Sequence, residues 1–220
     1  MAYEPKIKSY WGNGIDVTYD VKRCIHAAEC VRGLPEVFDT KKRPWVMPIK
    51  ADADMVAEVV MRCPTGALHF ERSDGKSDEP VPQTNTIVVN ENGPLYVLGD
   101  VKVVTADGET LFEDTRVALC RCGHSKNKPF CDNSHWKTGF RASGNVSVKL
   151  KDSDGWTEGG HLVVKMKENG PYHIRGNFEI RDSDGQVRFR GEKAILCRCG
   201  GTLTKPFCDN THKNINFISE

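Results

Sequence analysis

What the chain lacks narrows its function before any motif is read. Its 220 residues carry 31 Lys and Arg against 30 Asp and Glu, a formal net charge of +1. Without an excess of either sign there is no electrostatic footprint for nucleic acid or an anionic membrane surface. The run Lys41-Lys42-Arg43 is a local exception and reads as a solvated loop. No apolar run approaches the ~20 residues that cross a bilayer. The start, Met1 to Lys8, holds no apolar core of a secretory signal, so a cytoplasmic chain is expected. No nucleophile–base pair, nucleotide-binding loop or paired acids in a motif can be found, and no enzyme is expected. Hydrophobic content is low at 38%. Small apolar cores often need staples, of which metal sites are one kind. The nine cysteines are odd in number, which argues against a closed disulfide framework.

Those cysteines fall into three sets of three. Two of the sets lie in a pattern written twice. Cys120-Arg-Cys122-Gly-His-Ser125-Lys-Asn-Lys-Pro129-Phe-Cys131-Asp132-Asn133-Ser134-His135 recurs as Cys197-Arg-Cys199-Gly-Gly-Thr202-Leu-Thr-Lys-Pro206-Phe-Cys208-Asp209-Asn210-Thr211-His212. Every position of the second copy lies 77 residues after its counterpart, from 120 to 197 and from 135 to 212. The repeat is longer than the motif. Glu91-Asn-Gly-Pro94 recurs as Glu168-Asn-Gly-Pro171, Gly99 as Gly176, and Asp107-Gly108 as Asp184-Gly185. Asn-Gly and Asp-Gly are strong turn signals between short strands. The β-branched and aromatic flanks predict strands over 86–89, 95–98 and 101–104, and over 162–166, 171–174 and 178–180. Polar, turn-rich stretches over 71–82 and 151–160 read as linkers. The organisation expected is residues 1–75, then 80–144, then 155–220. In the first segment Ile15–Tyr19 alternates as a strand does. Asp52–Met61 reads as a helix, with Asp52 or Asp54 as its cap, Met55, Val56, Val59 and Val60 as its apolar face, and Pro64 beyond its end. Leu34, Val37, Phe38 and Val46 are expected in the core.

The duplicated residues offer three soft thiolates and one imidazole per copy, a ligand set for one metal centre. Pro129 and Pro206 should stiffen their loops. Asp132 and Asp209 can cap a short helical turn, and such a turn would put Cys131 with His135, and Cys208 with His212, on one face. Ser125 and Thr202 place a hydroxyl in each loop as a donor to a sulfur. Structural zinc uses the same donors, but its ligand pairs are usually spaced by two to four residues. Here Cys120 and Cys122 are one residue apart, so that pair can serve one iron while Cys131 and His135 serve another, which suits a [2Fe–2S] cluster. Zinc stays open on spacing alone. His124, matched by Gly201 in the second copy, reads as an exposed loop residue, and His69, His161 and His173 as structural or solvated.

The pattern Cys-x-Cys-x₂-(Ser/Thr)-x₃-Pro-x-Cys-Asp-x-(Ser/Thr)-His resembles the CDGSH iron–sulfur domain of the mitoNEET type, and both copies match at every ligand. The resemblance implies one [2Fe–2S] cluster on Cys120, Cys122, Cys131 and His135, and another on Cys197, Cys199, Cys208 and His212. It also implies pairing of two such units, here within one chain as a pseudo-dimer that needs no partner. One departure is shared. The family's Gly after the Asp is Asn133 here and Asn210 in the second copy, and Asn is the residue that best tolerates the left-handed backbone after Gly.

The third set is Cys24, Cys30 and Cys63. A bacterial ferredoxin run has Cys at every third position and a remote Cys-Pro. Here the middle position is Ala27, and Cys63-Pro64 is the remote member. Three thiolates suit a [3Fe–4S] cluster, or a [4Fe–4S] cluster with one non-cysteine ligand, for which His26 and Glu29 are nearby candidates. Loss of the cluster, with the cysteines kept as small buried residues, is the alternative. Arg23-Cys24-Ile25, Leu34-Pro-Glu-Val-Phe-Asp39, Pro44-Trp45 and Cys63-Pro-Thr-Gly-Ala67 resemble a divergent single-cluster ferredoxin domain. The expectation is therefore an α+β chain, a small ferredoxin-like domain followed by two fused β-rich units, that moves electrons to and from a redox partner such as a reductase or ferredoxin. A cluster donor to an apo-acceptor, a redox or pH sensor, and a zinc-stabilised interaction module are the other readings.

Overall fold

The computed structural model describes residues 3–146 and 153–219. It is mostly β with few helices. Contacts divide it into Glu4–Pro80 and a second unit made mainly of Val81–Glu220.

The first unit is a three-stranded antiparallel sheet of β1 (Ile7–Trp11), β2 (Ile15–Asp20) and β3 (Leu68–Arg72), with β2 central. Between β2 and β3 lie α1 (Glu29–Gly33) and α2 (Ala53–Met61). Asp52 is the cap of α2, its carboxylate accepting the Asp54 amide at 2.8 Å. The buried face of α2 is Ala53, Val56, Ala57, Val59 and Val60. Met55 is half exposed instead, because the 3.6-residue period carries it away from the stripe that Val56, Val59 and Val60 define. These residues close on Leu34, Val37, Phe38 and Val46, all buried as expected. Glu71 and Arg72 are not linker: they continue β3, where Arg72 is held between Asp54 and Asp74.

The second unit carries the repeat into three dimensions. β4 (Thr86–Val89), β5 (Leu95–Val104), β6 (Thr110–Leu119) and α3 (Ser134–Lys137) are followed, 77 residues on, by β7 (His161–Met166), β8 (Tyr172–Arg181), β9 (Val187–Leu196) and α4 (Thr211–Asn214). Two expected pairs of short strands are single ten-residue strands. They bend rather than break at Gly99 and Gly176, where φ is +137° and +118° and the pairing register shifts. A Cβ at Gly99 would lie 2.0 Å from the Asn85 side chain, and one at Gly176 would lie 2.1 Å from the His161 carbonyl, so both positions need glycine.

At those bends each long strand changes partner. β4 pairs antiparallel with the first half of β5 and parallel with Glu179–Arg181 of β8. β7 pairs antiparallel with the first half of β8 and parallel with Asp100–Val104 of β5. The four strands form a closed circuit, with β6 and β9 outside it on β5 and β8. Inward residues at every second position build one continuous core from both copies, including Val97, Val101 and Val103 from one and Ile174, Phe178 and Ile180 from the other. The stretch between the copies is pinned from Ser153 onward, where the Trp156 ring N–H donates to the Phe178 carbonyl at 3.1 Å and Arg190 lies over the indole; residues 151 and 152 lie outside the described chain. No helix among the described residues is long and apolar enough to cross a membrane.

Candidate metal centres

Each duplicated motif begins where an outer strand ends. β6 runs into Cys120, and the loop returns so that Phe130 bridges Leu119. The Cys120 amide donates to the Pro129 carbonyl and the Cys131 amide to the Ala118 carbonyl, both at 2.8 Å. Those bonds hold the first and third cysteines on facing backbone segments. The second copy repeats this with Leu196–Phe207, Cys197 to Pro206 and Cys208 to Ile195.

The other expected contacts differ in detail. The Ser125 hydroxyl donates to the Phe130 carbonyl at 2.6 Å, and Thr202 to Phe207 at 2.8 Å; the hydroxyls brace the loop instead of bonding a sulfur. It is backbone amides that meet sulfur: His124 and Asn133 reach Cys122 and Cys131 at 3.5 Å, and Gly201 and Asn210 reach Cys199 and Cys208 at 3.4 Å. Asp132 is not the helix cap. That position belongs to Asn133, left-handed at φ 67°, as Asn210 is at 70°. The aspartate spans the loop, accepting the Lys126 and Ser134 amides at 2.8 and 2.9 Å. Helix α3 starts at Ser134, so the left-handed asparagine, not a shared helical face, turns His135 back to Cys131.

The four donors of each copy stand as two pairs. Cys120 Sγ lies 3.6 Å from Cys122 Sγ, and Cys131 Sγ lies 3.5 Å from His135 Nδ1. The second copy gives 3.7 Å for Cys197–Cys199 and 3.4 Å for Cys208–His212. A tetrahedral metal with S at ~2.3 Å and N at ~2.0–2.1 Å holds two sulfurs about 3.8 Å apart, and S and N about 3.5 Å apart. Each pair therefore has the spacing of two ligands on one metal. No three donors among the described residues converge on a single ion. Cys120, Cys122, Cys131 and His135 are all buried, whereas Cys208 and His212 are half exposed.

Within each Cys-x-Cys pair the hydrogen bond between the two thiols pulls one below the usual thiol range and pushes the other up. The first proton thus leaves readily, and the second needs a metal to displace it. Burial pushes Cys131 up to about 12 and holds His135 below the usual imidazole range, in the neutral form that ligates.

Four features were not foreseen. Arg121 and Arg198, the middle residues of the two Cys-Arg-Cys units, are buried, and Arg121 donates to the Gly93 and Asn90 carbonyls of the β4–β5 turn. Burial pulls the Arg121 guanidinium down to about 10 against the charge of Cys197 in the other copy and of Cys122. Arg121 Nη1 and Arg198 Nε are buried with no hydrogen-bond partner among the described residues. The Tyr172 hydroxyl reaches across the copies to the Cys120 and Pro129 carbonyls at 2.8 and 3.2 Å. Finally, the loops touch reciprocally: a Cβ at Gly123 would lie 2.6 Å from the Cys199 carbonyl oxygen, and one at Gly200 would lie 2.6 Å from that of Cys122. The exact recurrence of the arginine and the glycine at the 77-residue offset was the available signal for two of these.

In the first unit Cys24, Cys30 and Cys63 line one cavity together with Ala27 and Glu29. His26 does not line it, and the Glu29 carboxylate is bonded to Arg32 at 2.5 Å. The loop between Cys24 and Cys30 bends through two left-handed residues, His26 at φ 56° and Ala28 at φ 65°. Such strain in non-glycine residues is held only where surrounding structure enforces it, and it concentrates at functional sites. Burial and the neighbouring Cys63 and Cys24 push the Cys30 thiol up to about 11. Tyr19 hydrogen-bonds Cys24, and Thr65 Oγ1 lies 3.5 Å from Cys63 Sγ.

Loops that pair sulfur with sulfur and sulfur with imidazole in one unit, and a cavity ringed by three thiols in the other, define an iron–sulfur-binding protein. Comparison with known families agrees. Residues 92–136 and 169–213 match the iron-binding zinc finger of CDGSH type, and residues 10–73 match the divergent 4Fe-4S mono-cluster family. The chain belongs to these families, as one mono-cluster domain followed by two CDGSH domains. The uncharacterized protein YjdI of Escherichia coli (strain K12) is 40% identical over 63 residues, which are 29% of this chain and 83% of that protein. YjdI of Escherichia coli O157:H7 gives the same figures.

Proposed function

We propose that the chain is an electron carrier with three centres: a [2Fe–2S] cluster on Cys120, Cys122, Cys131 and His135, a second on Cys197, Cys199, Cys208 and His212, and a [3Fe–4S] or [4Fe–4S] cluster on Cys24, Cys30 and Cys63. The observation that carries this is the division of each duplicated set into two one-metal pairs, which suits two irons better than one zinc. Clusters of these kinds supply one-electron redox chemistry when bound. The chain's part is to hold four donors apart in pairs, to aim amides at the sulfurs, and to offset their charge with a buried guanidinium. Exchange of β4 and β7 between the copies supports an intramolecular pseudo-dimer that needs no second chain. Its partners are then redox proteins, a reductase or a ferredoxin, and it performs no catalysis. Purified chain should show visible absorption, with EPR signals from two [2Fe–2S] centres on reduction and a separate signal from the first unit. Colourless protein carrying zinc would refute the assignment.

One observation favours a second reading, cluster donation to an apo-acceptor or sensing. The half-exposed Cys208 and His212 leave the second centre open to water and proton, where the first is enclosed. Transfer of iron and sulfide to an apo-ferredoxin, faster at lower pH and drawn from the second centre first, is its test.

A further inference from the structure

The two duplicated centres share their ligands but not their rims. At the 77-residue offset Lys126 is matched by Leu203, Trp136 by Lys213, Lys137 by Asn214 and Arg141 by Ile218. From Lys126 to Arg141 the first copy carries four cations against one carboxylate, Asp132; from Leu203 to Ile218 the second carries two against one. Backbone contacts bring these residues to the first centre. The Asp132 carboxylate accepts the Lys126 and Ser134 amides at 2.8 and 2.9 Å, which sets the loop beside the start of α3. Lys137 follows Trp136 on that helix, and the Phe140 amide donates to the His135 carbonyl at 3.2 Å, which brings in Arg141. Lys126, Lys137 and Arg141 are exposed, and no carboxylate among the described residues pairs with them.

The centre itself is a counter-charge, but an insufficient one. Two ferric ions, two sulfides, three thiolates and a neutral imidazole carry one negative charge, and two after one-electron reduction. Even with Asp132 added, the four cations keep the rim positive in both states. The aromatic member of the rim gives it an anchor. Trp136 is 65% exposed, and its indole stands edge-on to the buried His135 imidazole at 5.5 Å. An exposed tryptophan among charged groups is the residue type on which protein interfaces centre. This one also runs from the surface to a ligand, so a protein seated on it would bring its own cofactor close without opening the centre to water. Resting on the assignment of a [2Fe–2S] cluster to Cys120, Cys122, Cys131 and His135, we propose that Lys126, Trp136, Lys137 and Arg141 form the docking surface for an acidic one-electron carrier protein. On docking, the carrier's reduced cofactor loses one electron and the first centre gains it, with no bond made or broken. The chain's net charge of +1 gives no general attraction for polyanions, so a local patch anchored by an indole beside one centre fits an acidic protein face better than nucleic acid.

Calorimetric titration of the oxidised, cluster-loaded full chain with oxidised plant-type ferredoxin, an acidic [2Fe–2S] protein, reads the contact without turnover. Binding should be measurable at about 20 mM salt and about tenfold weaker at about 200 mM. Lys126→Leu, Lys137→Asn and Arg141→Ile together install residues that the second copy already carries, and should weaken binding at low salt about tenfold. Trp136→Ala should weaken it by a similar factor at either salt. Lys41→Gln, Lys42→Gln and Arg43→Gln together change the net charge equally and should leave binding as it was. Iron and sulfide counts and the visible spectrum of the same sample test the cluster assignment by themselves. A loaded chain that does not bind, that ignores salt or the rim substitutions, or that responds equally to both triple substitutions overturns the docking surface alone; a colourless chain overturns both. A DNA duplex of about 20 base pairs that binds more tightly than ferredoxin, and is lost with the same rim substitutions, would overturn the choice of partner.

Discussion

A methyl group at Gly123 should separate the two cysteine loops. Gly123 sits at φ +84°, and its Cβ would lie 2.6 Å from the Cys199 carbonyl oxygen and 3.0 Å from the carbonyl carbon. Ordinary contact begins near 3.4 Å, so the loops must part by most of an ångström, and backbone on both sides resists. Gly185 is the matched control: its φ is +79°, and nothing lies within 4 Å of its Cβ. Gly185→Ala pays only for the left-handed backbone, about 1–2 kcal/mol. Gly123→Ala adds an overpacking term of about 1–3 kcal/mol. For a unit of this size each kcal/mol lowers the melting temperature by about 2–4 °C. Thermal unfolding by circular dichroism should therefore drop several degrees further for Gly123→Ala than for Gly185→Ala. The geometry is reciprocal, because Gly200 meets the Cys122 carbonyl at the same 2.6 Å. Once one methyl has parted the loops, a second finds the space open, so Gly123→Ala with Gly200→Ala should cost less than the sum of the two, by about 1 kcal/mol. If Gly123→Ala matches Gly185→Ala within about 0.5 kcal/mol, or the double variant is additive, the loops do not touch as described.

Three further outcomes follow from named contacts. His135→Cys replaces a neutral ligand with a thiolate and should lower the midpoint potential of the first centre by roughly 100–300 mV and flatten its pH dependence, read by redox titration with EPR; an unchanged midpoint contradicts the ligand assignment. Tyr172→Phe deletes a fully buried hydroxyl that the Cys120 and Pro129 carbonyls accept. It should cost about 1–2 kcal/mol in denaturant unfolding and perturb the spectrum of the first centre only. Hydrogen bonds from the Thr211 hydroxyl and from the Leu203 and Thr211 amides hold the Asp209 carboxyl well below the usual carboxylate range. A depressed folded value means its stabilising contribution is complete above the ordinary carboxylate pKa of ~4 and disappears as pH falls through the lower, folded value. Asp209→Asn should thus be less stable than the parent by a constant margin at neutral pH, a margin that begins to shrink only below about pH 4 and closes only toward the much lower folded value, and a pH-independent difference would count against the loop role.

The local half of this fold was legible and the long-range half was not. Turns at Asn92-Gly93 and Asp107-Gly108, the strand at 86–89 and the capped helix after Asp52 all rest on neighbours in sequence, and each stands where its residues put it. β6 and β9 escaped notice because charged residues interrupt their alternation; Glu113, Asp114 and Arg116 lie on a strand outside the closed circuit. The exchange of β4 and β7 had no local signal, since a strand's pattern states which face is buried and not which strand lies alongside. In the centres, ligand identity was readable from chemistry. The bracing was not: hydroxyls expected on sulfur serve the backbone, and the turn expected of a helix is made by one left-handed asparagine. The Cys-Arg-Cys arginines were in plain view in both copies, but their burial depends on carbonyls about 30 residues away.

The strand circuit also sets the order in which a growing chain can fold. The second half of β5 ends at Val104, but the last β7 residue that pairs with it, Lys165, comes 61 residues later. At ~5–20 residues per second, a ribosome takes about 3–12 s to supply those residues. Until then the first copy has its turn, its cysteines and its hydrophobic strand face, but an open sheet edge. Β4 waits longer still, for Arg181 of β8. Tethering the second copy behind the first makes the missing strand arrive on the same chain at high local concentration, where a separate subunit would have to be met by diffusion. The duplication thus changes sheet closure from a second-order encounter into a first-order event timed by translation.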